Sequence, residues 1–153
     1  MKIAIGADHA GFELKEKVKL ILQRLGHDVV DFGTGSTESV DYPDFGLKVA
    51  RSVASGQSDR GIAICWTGNG MTMAANKVDG IRASLCLNVD MAKLAREHND
   101  ANVLTMASKY TPDNVAEQIV MTWLTTSFDG GRHERRVNKI MATEKDDTLG
   151  RIH

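Results

Sequence analysis

Five short apolar runs, at residues 2–5, 29–32, 61–65, 82–87 and 102–106, punctuate the chain, each bounded by turn-forming residues and separated from the next by apolar positions at helical spacing. Strands alternating with helices in this way predict a three-layer α/β/α, Rossmann-like arrangement with five parallel strands in the middle layer. The first helix is legible residue by residue. Phe12, Leu14, Val18, Leu20, Ile21, Leu22 and Leu25 form its apolar stripe, and Gly26 stands where a C-terminal glycine belongs. Pro43 and Pro112 each fall in an expected first helical turn, Pro112 behind Thr111 as a candidate N-cap. A last helix, from about Arg132 to Thr143 with Val137, Ile140 and Met141, leaves the sheet, to pack on a partner subunit or on the body of its own domain. With no repeat, low-complexity tract or linker, residues 1–153 read as one domain.

Charge narrows the range of partners. Lys and Arg number 19 against 20 for Asp and Glu, so no basic field argues for nucleic acid. A small molecule or another copy of the chain is the expected partner. No apolar run approaches the roughly 18 residues of a membrane span, and the opening Met1-Lys2-Ile3-Ala4-Ile5-Gly6 is strand-like and too short for a signal peptide. The expected location is the cytoplasm, where Cys65 and Cys86 stay reduced; their spacing offers no metal-ligand pair.

In a parallel sheet of this kind ligands bind beyond the carboxyl ends of the strands, so the residues around those ends are the ones to weigh. Asp8 and His9 follow the first strand and precede a helix; Asp8 either caps that helix or reaches a ligand. Cys65 ends the third run and opens into Trp66-Thr67-Gly68-Asn69-Gly70. A thiol at a strand end, beside glycines that let backbone N–H groups approach a ligand, favours a functional thiolate over a core thiol. Thr67 caps the next helix or faces the ligand. Cys86, inside the fourth run, reads as packing. His98-Asn99-Asp100, just before the fifth run, is a polar cluster in which His98 is either a C-terminal helix cap or a functional group. Arg132 and Arg136 are four apart, share one helix face, and are either a solvated patch or a clamp for one phosphate. Gly33-Thr34-Gly35 lacks the third glycine of a dinucleotide fingerprint and reads as a turn, and no GxxxxGK[ST] is present.

Several of these pieces, in this order, resemble the ribose-5-phosphate isomerase B family, which includes galactose-6-phosphate isomerase subunits. The motifs are Asp8-His9-Ala10-Gly11, Asp41-Tyr42-Pro43, residues 65–70 running on to Ala74-Ala75-Asn76-Lys77, Gly80-Ile81-Arg82-Ala83, His98-Asn99-Asp100-Ala101-Asn102-Val103, and Gly131-Arg132-His133 with Arg136-Val137. The resemblance implies an isomerase, without metal or cofactor, that interconverts an aldose and a ketose phosphate through an enediolate. It implies Cys65 as the base, Met71 standing where some relatives carry a glutamate. It further implies His98 in opening the furanose ring, Asp8 on sugar hydroxyls, Thr67 with the Gly68, Asn69 and Gly70 amides as an anion hole, and Asn99 as a substrate contact. His9, Arg132 and Arg136 match phosphate ligands, with His133 beside them, and Lys109 stands where many relatives have arginine. A homodimer or tetramer would share each site between subunits.

The chemistry of those residues agrees with this. Taking a proton from carbon needs a held base and donors aimed at the oxygen where charge develops, each donor worth about 3 kcal/mol by analogy with oxyanion holes. Ribose 5-phosphate and ribulose 5-phosphate are the expected pair; allose 6-phosphate or galactose 6-phosphate is the alternative within the class, and a non-catalytic sugar-phosphate-binding protein the alternative outside it. Trp66 replaces the family's usual glycine, to stack on the sugar, narrow the pocket or pack on a neighbouring subunit.

Overall fold

The computed structural model describes the backbone of residues 1–150 and the side chains of residues 1–145. Strands β1 (Lys2–Ala7), β2 (Asp28–Asp31), β3 (Arg60–Cys65), β4 (Ala83–Leu85) and β5 (Val103–Ala107) pair in parallel in the order β2-β1-β3-β5-β4. Each falls on one of the five apolar runs, within a residue or two at most ends. The connecting helices are α1 (Phe12–Arg24), α2 (Tyr42–Ala54), α3 (Asn69–Asn76), α4 (Val89–Asn99) and α5 (Asp113–Thr125), with α6 (Arg132–Gly150) last.

Strand alternation divides the core in two. Ile3, Ile5, Ile62, Ile64, Leu104 and Met106 face α1, α4 and α5, whereas Ala4, Ala63, Cys65 and Val103 face α2 and α3. Large residues thus fill one layer and small residues let α2 and α3 approach closely on the other. Crossovers that step toward β2 carry their helix on the first face and those that step toward β4 on the second, as a single handedness of connection demands. Strand order reverses between β1 and β3, so a crevice opens beyond their carboxyl ends, where Asp8 and Cys65 stand.

Local expectations fare unevenly. Gly26, with φ of 83°, stands just past Leu25, the C-cap of α1, and Pro43 sits in the first turn of α2. Leu20 and Leu25, by contrast, are 67% and 38% exposed: the stripe of α1 is narrower than its apolar content, and Leu14, Val18, Ile21 and Leu22 suffice to cover the sheet. Thr111 is no N-cap. Pro112 occupies that position in extended geometry, and the buried Thr111 hydroxyl accepts and donates nothing. The last helix runs past residue 143 and lies back on its own chain, where Glu144 accepts the Gly80 N–H at 2.8 Å and Met141 meets the Arg82 guanidinium.

Candidate active site

Cys65 is the last residue of β3, and its carbonyl is held twice by Ser108, through the backbone N–H at 3.0 Å and the hydroxyl at 3.3 Å. The Lys109 N–H likewise donates to the Trp66 carbonyl at 2.9 Å. The turn that follows β5 therefore fixes the backbone that carries the thiol. Cys65, only 4% exposed, lines a cavity of about 360 Å³ with Asp8, Tyr42, Trp66, Thr67 and Gly70.

The floor of this cavity is the start of α3. Gly68 is the N-cap at φ 78°, a left-handed conformation, and a Cβ there would collide with Leu85 and the backbone of Met106. Gly70 lies against the Tyr42 ring, which a Cβ would meet at 2.5 Å. Only glycine passes at either position without displacement. Because Gly68 caps the helix, Thr67 does not; its side chain is left to the cavity. By helix geometry the N–H groups of Asn69, Gly70 and Met71 have no intrahelical acceptor, so three donors and the positive end of α3 face the space beside the thiol.

The N-cap of α1 is Gly11, so Asp8 is not the helix cap. Its Oδ1 accepts the Gly11 N–H at 3.0 Å, shaping the turn into α1, while the carboxylate borders the Cys65 cavity. His9 accepts the Val40 N–H on Nδ1 at 3.1 Å, which leaves Nε2 as the ring's donor. Trp66 is 54% exposed at the mouth, with the Lys109 ammonium 4.3 Å from its ring centroid and 5.5 Å from that of Tyr110.

The remaining predicted residues lie elsewhere. His98-Asn99-Asp100 precedes β5, so it sits at the amino ends of the strands: Val103 pairs with Gly61, and Ala107, four residues on, pairs with Cys65. Roughly 13 Å of strand separates the two levels. The expectation that this cluster joins the carboxyl-end crevice of its own chain is thereby corrected. The end of α4 is closed by Asp100 at φ 47° and by Arg82, whose guanidinium donates to the Asn99 and Asp100 carbonyls at 3.2 and 2.8 Å. His98 stacks on His133 of α6, centroids 4.2 Å apart and planes within 11°, which brings Arg132 to the same end. Burial first, and then the neighbouring His98, Arg132 and Arg136 charges, hold the His133 imidazole below its ordinary pKa. Asp129 lies beside the two rings, but nearly parallel rings direct their nitrogen lone pairs side by side rather than at one point, the wrong arrangement for a shared metal ion. Asn99 lines a separate cavity of about 390 Å³ with Arg82 and Ile140.

Cys86 matches its reading as packing: it is fully buried and its thiol is pushed up to about 11 by burial. Tyr42 and Met73 line the Cys65 cavity without having been singled out. Tyr42 stood inside a quoted motif, but its contact with Gly70 depends on α2 packing against α3.

A buried thiol beside a glycine-cleared helix start, at the switch point of a parallel α/β sheet, is the arrangement of a small-molecule enzyme site. Residues 3–140 match the family described as Ribose/Galactose Isomerase. Ribose-5-phosphate isomerase B of Escherichia coli is 46% identical over 144 residues, 94% of this chain and 97% of that one. The Clostridium thermocellum ribose-5-phosphate isomerase B structure superposes with a TM-score of 0.94 at 55% identity, covering 95% of this chain and 99% of that one. The Mycoplasma genitalium enzyme with bound ribulose-5-phosphate gives 0.91 at 42% identity, covering 94% and 96%. This chain belongs to the Ribose/Galactose Isomerase family and is an aldose–ketose isomerase. Among the described residues no helix is long and apolar enough to cross a membrane.

Proposed function

We propose that this enzyme interconverts ribose 5-phosphate and ribulose 5-phosphate in the cytoplasm, without metal or cofactor, in sites each assembled from two copies of the chain. The observation that carries the reading is Cys65 itself: a nearly buried thiol on a rigid strand end, sharing one cavity with Asp8, Thr67 and Gly70, whose loop supplies free N–H donors. In the aldose-to-ketose direction the Cys65 thiolate removes the proton from C2, and the electrons of that bond move through C1 to the carbonyl oxygen. The Asn69 and Gly70 N–H groups and Thr67 stabilise the charge on that oxygen. Cys65 then returns the proton to C1 while the C2 hydroxyl proton passes to O1, which leaves the ketone at C2. Asp8 holds sugar hydroxyls.

His98 opens the furanose by relaying the anomeric hydroxyl proton to the ring oxygen, and Arg132 and Arg136, with Lys109 and His9, hold the phosphate; Asn99 and His133 complete that side. Since the Cys65 and His98 groups lie at opposite ends of one sheet, the second group comes from a partner copy, brought over by the α4 and α6 ends. Trp66, in place of glycine and held by Lys109, narrows the mouth and favours a five-carbon over a six-carbon sugar. The test is the rate of ribose 5-phosphate conversion with EDTA present: the wild type is active, and Cys65→Ala loses roughly 10³-fold or more. An unaffected Cys65→Ala enzyme would sink the assignment.

A further inference from the structure

Thr105 is an exception in its strand. It is fully buried in the middle of β5, among Val103, Leu104, Met106 and Ala107, and it points with Val103 toward α3. A hydroxyl there is costly unless paired, and its partner is the Thr72 hydroxyl of α3 at 2.5 Å. Thr72 in turn donates to the Gly68 carbonyl from both its hydroxyl, at 2.8 Å, and its backbone N–H, at 3.0 Å. The single hydroxyl proton of Thr72 is used on Gly68, so the proton in the Thr105–Thr72 contact belongs to Thr105. The direction of the chain is fixed: Thr105 donates to Thr72, and Thr72 to the Gly68 carbonyl, each bond polarising the next.

The Gly68 carbonyl shares a planar trans peptide with the Asn69 N–H, which points the opposite way, out of the start of α3, the end of the helix whose Thr67 and Gly70 border the Cys65 cavity. Clamping the carbonyl from behind therefore sets the direction of the N–H in front. We infer that Thr72 and Thr105 are positioning residues: a buried hydroxyl relay running from the sheet to the Gly68–Asn69 peptide aims the anion-binding N–H groups at the enediolate oxygen. The inference rests on the proposed isomerase reading of the Cys65 site. It accounts for a polar residue at the centre of a buried parallel strand, which neither the fold nor the core needs.

The experiment compares Thr72→Val, Thr72→Ser and the double variant Thr72→Val/Thr105→Val in kcat, KM, melting temperature and affinity for a hydroxamate analogue of the five-carbon substrate, an imitation of the enediolate. Thr72→Val is expected to lower kcat and analogue affinity by roughly tenfold or more with KM nearly unchanged, and Thr72→Ser to restore both. Adding Thr105→Val removes the hydroxyl that Thr72→Val orphans, so the double variant regains melting temperature but not kcat. If kcat and analogue affinity survive in Thr72→Val, or return together with the melting temperature in the double variant, the relay is packing alone and the inference falls. Failure of the underlying reading looks different: the wild type itself would neither turn over ribose 5-phosphate nor bind the analogue, and the relay would fall with it.

Discussion

Gly68 has no room for a side chain: its φ is 78°, and a Cβ would strike Leu85 and the Met106 backbone. Gly68→Ala therefore costs about 2 kcal/mol or more, read as a lower midpoint in denaturant unfolding. The two thiols should separate chemically. Cys65 borders a cavity, whereas Cys86 is sealed in the core with its thiol pushed up to about 11. Brief treatment with iodoacetamide near neutral pH is expected to give one adduct per chain, on Cys65; modification of Cys86 at a similar rate would contradict its burial. At the cavity mouth Trp66→Gly should raise the ratio of allose 6-phosphate to ribose 5-phosphate turnover, and an unchanged ratio would remove Trp66 from specificity. The thiol and its glycines were legible in the sequence because a strand end that delivers a side chain to a cavity has a local signature: an apolar run, a cysteine, then glycines. The Thr72–Thr105 contact was not, because it joins residues 33 positions apart and exists only once α3 is laid across β5.

The helix ends hold the second group of candidate residues, and they carry a pH dependence. His133, at the start of α6, is held below its ordinary pKa by burial and then by the adjacent His98, Arg132 and Arg136 charges; His27, after α1, is held down by burial and then by the amino terminus. In both cases the folded chain prefers the neutral ring, so the unfolded chain binds more protons as the pH falls through about 6.5. The stability these groups contribute is thus present above that pH and is lost below it. Melting temperature should decline on acidification from pH 7.5 to 5.5, and less steeply in His133→Asn; an equal decline would show that His133 does not contribute. The elements themselves were readable because parallel strands buried on both faces are short apolar runs. Errors arose where local pattern met tertiary geometry. Leu20 matches the helical period yet faces solvent, and Pro112 rather than Thr111 takes the N-cap.

The whole chain divides its predicted site between two ends of one sheet. Apolar-run reading placed every strand, but a cluster preceding a strand belongs at its amino end, and that simple consequence puts His98 and Asn99 opposite Cys65. Exposed Trp66 and Met73 at the Cys65 mouth, and exposed Ile140 on α6 near Asn99, are apolar surface at both ends. A two-fold dimer that brings one end of each chain to the other end of its partner would complete two sites at once. The decisive measurement is complementation: Cys65→Ala and His98→Ala chains, each inactive alone, are unfolded, mixed in equal amounts, refolded together and assayed with ribose 5-phosphate. If each site takes Cys65 from one chain and His98 from the other, random pairing returns about a quarter of wild-type activity. No recovery, with both variants folded and paired, would contradict a site shared between copies.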